Sequence, residues 1–384
     1  MIDEILIEDL KNKDRDSFVI IDIRDEESFA YGHIPGAINI PQNQVLERVK
    51  NFRKDKEICV CCKVGLISKQ IANSLQELGF VAYSLKGGYA SFLNYHYSKQ
   101  IDLGEIKEKC ETSIRKKFHK QIFSKFVKAI NEYQLISPND KIAVCISGGK
   151  DSMLMAKLFQ ELKRHNKFNF DLVFLVMDPG YSKANREVIE NNAKLLDIPI
   201  TIFNTQIFEN VFNIPKSPCY ICARMRRGYL YSKAKELGCN KIALGHHYDD
   251  VIETILMGML FGAQVQTMMP KLKSTNFEGM ELIRPLYLIR EADIKKWRDY
   301  NDLYFIQCAC KFTDTCSSEA CLVKEENTGS MRLRTKKLIE KLAKENPQIE
   351  QNIFKSVENV NLNTIIAYKD KNNKKHHFLD DYNN

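Results

Sequence analysis

The sequence contains no apolar run long enough to cross a bilayer, and no short apolar core behind a charged N-terminal segment. A membrane span and a secretory signal drop out as readings, and the chain is expected in the cytoplasm with no membrane partner. No internal repeat is evident, and the GxxxxGK[ST] loop of kinases and GTPases is missing. At 384 residues the chain exceeds one typical domain, and its 44% hydrophobic content is ample for two or three cores. Its 12 cysteines, without an export signal, are expected in a reducing compartment as ligands and nucleophiles rather than disulfides. Residues 1–100 hold 13 Lys and Arg against 14 Asp and Glu, so the net charge of +8 lies entirely in the remainder. A polyanionic partner should meet that second part.

The densest signal is Ser147-Gly148-Gly149-Lys150-Asp151-Ser152. It lies between a β-type run, Lys141–Ile146, and a run with helical apolar spacing from Met153 to Phe159. Two glycines let successive backbone N–H groups curl around an anion. The following helix adds its positive end, Lys150 and the serines add donors, and Asp151 can hold Mg²⁺. This is a strand–loop–helix phosphate cradle. Further strands are expected at Leu172–Met177, Ile198–Phe203 and Lys241–Leu244, giving an α/β doubly wound parallel sheet that binds ligands at its C-terminal strand ends. Asp178 and Gly245 stand at such ends. Asp249 and Asp250 follow Gly245-His246-His247-Tyr248, placed either to share Mg²⁺ with Asp151 or to cap the next helix.

Upstream, FVIID (18–22) and EICVC (57–61) read as buried strands, and Ile67–Leu78 as an amphipathic helix ending at Gly79. Cys62 follows a strand and opens a helix, where backbone N–H groups and the helix end favour thiolate. Asp22, Arg24, the run GHIPGA (32–37) and LKGG (85–88) resemble a rhodanese (sulfurtransferase) domain, assigned to residues 1–98. The resemblance implies a persulfide on Cys62. Ile67 occupies the loop position where that family usually carries a basic residue, and Lys63 stands where Arg is common. The weaker anion cradle favours a persulfide handed over by a cysteine desulfurase over thiosulfate, and the missing arginine excludes a phosphatase. Cys61, directly adjacent, is read as a bystander, with a resolving thiol as the alternative.

Residues 99–113 are polar and mixed in charge, and are expected to be a linker. Ile114, Phe118, Ile122, Phe126 and Ile130 then recur every four residues as a helix stripe facing a core. Lys116 and Lys117 lie in the basic surround of that stripe, which is either a solvated face or an RNA-facing surface. The Asn- and Lys-rich tail, 369–384, is expected to be disordered. Cys219-x-x-Cys222 is joined far downstream by Cys308 and Cys310, with Cys316 and Cys321 beyond. Four thiolates suit a closed Zn²⁺ site and three suit a [4Fe–4S] cluster with an open iron; the spacing fits both. Arg224, Arg226 and Arg227 follow at once, a cluster suited to gripping nucleic-acid phosphate.

With these in view, SGGKDS, PCYICARMRRGYLY (218–231), ELGCNKIALGHHYDD (236–250), MMPKL (268–272) and IRPLYLIRE (283–291) resemble the tRNA 2-thiocytidine synthetase family. That family belongs to the N-type ATP pyrophosphatases, PP-loop proteins of adenine-nucleotide alpha-hydrolase-like fold, and the assigned domain is 114–368. The resemblance implies an iron–sulfur enzyme that adenylates an anticodon-loop cytidine of tRNA and replaces its C2 oxygen with sulfur. It implies ATP on Ser147–Ser152, and cluster ligands Cys219, Cys222 and Cys310 (or Cys308), with zinc as the alternative metal. Cys62, Lys150 and Asp151 are the expected catalytic residues. The partners are tRNA, a persulfide donor and a second copy in a homodimer. A lysidine-synthetase-like ligase would share the cradle but needs neither the persulfide cysteine nor the cluster cysteines. A nucleotide-binding sulfur relay would need the cysteines but not the arginines.

Overall fold

The computed structural model describes residues 4–14, 17–98, 103–165, 167–207, 218–306, 331–370, 372–380 and 382. The chain divides into two compact units. One takes the described residues up to Tyr248 and those from Pro270 to 306; the other takes Asp249–Met269 and the described residues beyond 330. No helix among the described residues is long and apolar enough to cross a membrane.

The first unit opens with a five-stranded parallel sheet. Its strands are β1 (Glu4–Ile5), β2 (Phe18–Asp22), β3 (Ile38–Asn39), β4 (Glu57–Cys61) and β5 (Ala82–Leu85), in the order β1-β5-β4-β2-β3. Around it lie α1 (Ile7–Asn12), α2 (Glu26–Tyr31), α3 (Val45–Arg48), α4 (Ile67–Glu77) and α5 (Gly88–Ser98). Asp25 starts α2 by accepting from Ser28 N at 2.9 Å, and the expected stop of α4 is present, with Gly79 at φ +82°. One face of this sheet buries Ile21, Ile58, Val60 and Leu75. The other face joins Cys59, Cys61, Phe92 and Leu93 to a core that continues through Ile142, Phe159 and Trp297. The two sheets of this unit therefore share one apolar interior.

Residues 103–113, expected within a polar linker, are part of helix α6 (Leu103–Arg115). Their polar residues cover an apolar seam: Cys110 and Ile114 are buried, and Glu111 binds Lys157 at 2.9 Å and Arg164 at 2.7 Å. The predicted stripe is buried at all five positions, yet it is not one α-helix. A π-helical turn spans His119–Phe123 before α7 (Ser124–Glu132), and Phe118 N bonds back to Ser113 O. A repeat of four residues outruns the 3.6-residue α-turn, and the wider turn absorbs the difference.

The second sheet carries β6 (Lys141–Ile146), β7 (Asp171–Asp178), β8 (Ile200–Asn204), β9 (Lys241–Ala243), β10 (Lys271–Lys273) and β11 (Glu281–Ile283), ordered β10-β11-β9-β6-β7-β8. Only β10 is antiparallel. The sheet is flanked by α8 (Lys150–Arg164), α9 (Lys183–Leu195), α10 (Pro218–Glu236) and α12 (Glu291–Tyr300), and Tyr248, the last residue of this unit's first segment, opens α11 (Tyr248–Gly262). Because β6 lies between β9 and β7, the turns after Ile146, Asp178 and Ala243 stand side by side at one sheet edge, where open α/β sheets bind ligands.

The other unit contains the rest of α11, α13 (Met331–Glu345), α14 (Ile349–Ser356) and a hairpin of β12 (Ala367–Lys369) and β13 (Lys375–His377). The tail expected to be disordered from Lys369 thus forms a paired strand. Asp370 accepts from Asn372 N at 2.8 Å and Lys374 N at 2.9 Å, and Asn373 takes φ 60°, so the Asn-rich stretch is turn chemistry.

Candidate nucleotide and sulfur-carrier sites

The SGGKDS loop joins the central strand β6 to α8, whose Met153–Leu158 residues and Phe159 are all buried. Gly148 has φ +86°, and a Cβ there would meet Ile189 Cγ1 at 2.5 Å, so only glycine fits. Ser147 N and Oγ both donate to Ser152 Oγ at 3.2 Å, and Ser152 Oγ donates to Gly149 O at 2.9 Å. The first and last residues of the motif are thereby pinned together. Gly245 lies against the same turn, since a Cβ on it would come 3.3 Å from Ser152 N.

Lys150 is 3% exposed, and its Nζ lies 3.1 Å from both Asp151 Oδ2 and Glu291 Oε1. Burial alone would drive this ammonium towards neutrality, yet Asp151, the Tyr31 phenol and Glu291 hold its pKa above the usual lysine value. The charge is therefore permanent. Asp151 Oδ1 is buried without a hydrogen-bond partner, with His247 Nε2 at 3.9 Å. A buried carboxylate oxygen without a donor suits a hard cation such as Mg²⁺.

Asp178 stands at the same edge, but its carboxylate is occupied by its own loop. Oδ1 accepts from Gly180 N at 2.8 Å and Tyr181 N at 2.7 Å, and Oδ2 pairs with Arg186 at 3.2 Å. Its side chain shapes the turn beside the cradle. Asp249 and Asp250 fall in the first turn of α11, where acidic residues favour the helix end, and Asp250 pairs with Arg332 at 3.5 Å. Among the described residues, no three His, Cys, Asp or Glu side chains gather as a metal site.

Cys219 and Cys222 lie three residues apart in the first turn and a half of α10. Cys308, Cys310, Cys316 and Cys321 lie outside the described residues. On the same helix Arg224 and Arg227 are exposed and three residues apart, while Arg226 reaches Tyr181 Oη at 3.5 Å. Lys116 and Lys117 are exposed, and Lys117 Nζ sits 3.7 Å from the Tyr300 ring centre. Several neighbours are neutralised: Arg115 pairs with Glu111 and Glu161, and Lys125 with Asp293.

In the N-terminal sheet, Cys62 follows β4 and is 4% exposed. Its Sγ accepts from Gly65 N at 3.1 Å and lies 3.2 Å from Ser68 Oγ, itself 2.9 Å from Ser84 Oγ. Gly88 closes the loop at φ +58°, where a Cβ would come 2.4 Å from Cys62 O. Cys61 belongs to the opposite face of the sheet, and burial pushes its thiol well above the ordinary value. Burial likewise pushes Cys59 up to about 12. Both are buried in the apolar interior. Arg24, which resembles a rhodanese arginine, forks onto Asp22 at 2.6–3.1 Å and donates to Gly32 O at 2.7 Å.

Two residues at the cradle went unread in the sequence. Glu291 sits at the end of the IRPLYLIRE motif, whose terminal acid was the available signal. Tyr31 comes from α2, in the N-terminal domain: its hydroxyl accepts from Lys150 N at 2.9 Å, and Lys150 Nζ lies 4.9 Å from its ring centre.

The PP-loop domain family matches residues 116–311, and the rhodanese-like domain family matches 6–95. A tRNA-cytidine(32) 2-sulfurtransferase of Janthinobacterium sp. (strain Marseille) is 36% identical over 247 residues, covering 64% of this chain and 74% of that protein. One from Coxiella burnetii (strain CbuG_Q212) is 34% identical over 257 residues, covering 66% and 95%. A solved U34-tRNA thiolase of Methanococcus maripaludis, with its [4Fe–4S] cluster, is 21% identical over 62% of this chain and 79% of that one, with a TM-score of 0.47. The chain belongs to the PP-loop family that includes the tRNA-cytidine(32) 2-sulfurtransferases, and it carries a rhodanese-like domain ahead of the PP-loop domain.

Proposed function

We propose that this protein is an ATP-dependent tRNA sulfurtransferase that converts an anticodon-loop cytidine, the residue named in its relatives, to 2-thiocytidine. The observation that carries the reading is the cradle itself: a glycine loop closed by Ser147 and Ser152, with a buried, permanently charged Lys150 at the C-terminal edge of the central strand. In this reading residues 1–98 carry sulfur and residues 114–368 activate and thiolate the base.

The cytosine C2 oxygen attacks the α-phosphorus of ATP and pyrophosphate leaves. Backbone N–H groups of 148–152 and the Lys150 ammonium stabilise the charge that develops on the departing phosphates. Asp151, with its unpartnered oxygen, is the residue placed to hold Mg²⁺, which would neutralise phosphate charge when bound. Sulfur enters as a Cys62 persulfide loaded by a desulfurase. A low-molecular-weight thiol from solution releases it as hydrosulfide and is left in a disulfide with Cys62, which a second equivalent of that thiol reduces. Hydrosulfide attacks C2, AMP departs with the former oxygen, and one proton is released. Cys219 and Cys222 lie three residues apart on α10 and have thiolate chemistry that fits a [4Fe–4S] cluster, with Cys310 or Cys308 as third ligand. Such a cluster would supply an open iron for holding sulfur. Arg224 and Arg227, exposed beside it, suit tRNA phosphate.

The test is mass spectrometry of nucleosides from tRNA of cells lacking the gene, then complemented. The expected result is loss of 2-thiocytidine, restored by the wild-type chain and not by Lys150→Ala. Unchanged 2-thiocytidine in the deletion overturns the reading.

A further inference from the structure

The cradle of the PP-loop domain is not empty of protein. Tyr31, the last residue of α2 in the rhodanese-like domain, places its hydroxyl oxygen 2.9 Å from Lys150 N, the first amide of α8. That is where a helix N-terminus presents a donor to a phosphate oxygen. The contact is fixed from several sides. Lys150 Nζ and the Arg298 guanidinium lie 4.9 and 5.6 Å from the Tyr31 ring centre, and Arg298 also donates to the Tyr31 carbonyl. The next residue, Gly32, accepts from Arg24 at 2.7 Å, which ties the segment to the sheet that bears Cys62. Gly149 is close as well, since a Cβ on it would stand 3.4 Å from the Tyr31 hydroxyl. Beside Tyr31 a cavity of about 420 Å³, lined by His33, Tyr89, Arg298 and Tyr304 among others, leaves room for the segment to move.

We propose that Tyr31 is a built-in competitor for the pyrophosphate position: the rhodanese-like domain's 29–35 segment and the phosphates of ATP exclude each other at Lys150 N–H. ATP binding displaces that segment, and the seated segment weakens ATP by the same factor, because coupling between two bound groups is reciprocal. The sulfur-bearing domain thereby senses whether the activation site is loaded. Apparent nucleotide affinity is reduced by the fraction of molecules with Tyr31 withdrawn. This inference rests on the cradle being the ATP site.

The experiment titrates the full chain, wild type and Tyr31→Phe, with Mg·ATP, inorganic pyrophosphate and adenosine by calorimetry. Phe keeps the ring and removes the oxygen that occupies the donor. ATP and pyrophosphate should bind the variant about three- to tenfold tighter, the worth of one net hydrogen bond, while adenosine binds both alike. Equal or weaker phosphate binding by the variant overturns the proposal, as does an equal gain for adenosine. In the wild type, ATP should raise hydrogen exchange of the 29–35 amides; unchanged or slower exchange also overturns it. If neither protein binds ATP or pyrophosphate while Lys150→Ala folds normally, the nucleotide reading fails, and the proposal with it.

Discussion

Replacing Lys150 by methionine keeps the stem and deletes the charge that two carboxylates face. Asp151 Oδ2 and Glu291 Oε1 each lie 3.1 Å from Nζ, and their side chains are 26% and 16% exposed. Removing one partner of a fully buried ion pair costs about 3–5 kcal/mol. The residual exposure of both acids places this case near 3 kcal/mol, because water can solvate part of what is left. For a unit of about 300 residues that is a fall in Tm of about 5 °C. The lone tryptophan, Trp297, is fully buried in α12, the helix that begins with Glu291, so its fluorescence during heating reports on this unit. The double variant Lys150→Met/Glu291→Gln should recover part of the loss, since one of the two carboxylates left facing the gap is gone and only Asp151 remains. Both variants should lack thiolation. A Lys150→Met protein as stable as wild type, or a double variant whose losses simply add, refutes the triad as described.

Cys62→Ser should abolish persulfide detected by alkylation and mass spectrometry, while Cys61→Ser, on the opposite face, should retain it. Charge reversal at Arg224 and Arg227 should weaken tRNA binding at least tenfold in filter assays and flatten its salt dependence, since both are exposed phosphate-type contacts. Burial alone would raise the Glu281 pKa, but Lys241 and then Lys271 hold it below the usual carboxylate value. Its contribution is therefore complete above about pH 4.5 and lost as pH falls through the lowered folded value. Glu281→Gln should show a shallower fall in stability on acid titration.

The chemistry of the cradle was legible because its residues are contiguous, and strand, loop and helix each leave a local signature. The rhodanese-like character of the first domain was legible for the same reason. Tyr31 was not, because nothing around Glu26–Tyr31 differs from an ordinary short helix; its role arises from docking against a residue more than a hundred positions later. The linker reading of 99–113 was misled by Glu111, whose charge looks solvent-facing in sequence but meets Lys157 and Arg164 in space. The stripe from Ile114 to Ile130 predicted burial correctly and the helix type wrongly, since periodicity reports which residues face inward and not which hydrogen bonds close the turns.

Among the described residues, the groups hydrogen-bonded around Cys62 Sγ are the Gly65 amide and the linked hydroxyls of Ser68 and Ser84, each electrically neutral. A sulfur atom held this way is selected by fit rather than by field. An oxyanion donor would bring charge that these dipoles must carry unaided, whereas a persulfide presented by another protein gives up a neutral outer sulfur to Cys62 and takes the negative charge away on its own departing thiolate. Loading by a protein donor should therefore depend on surface docking for its specificity, and the transfer step itself, once docked, should run at the same rate in dilute and concentrated salt.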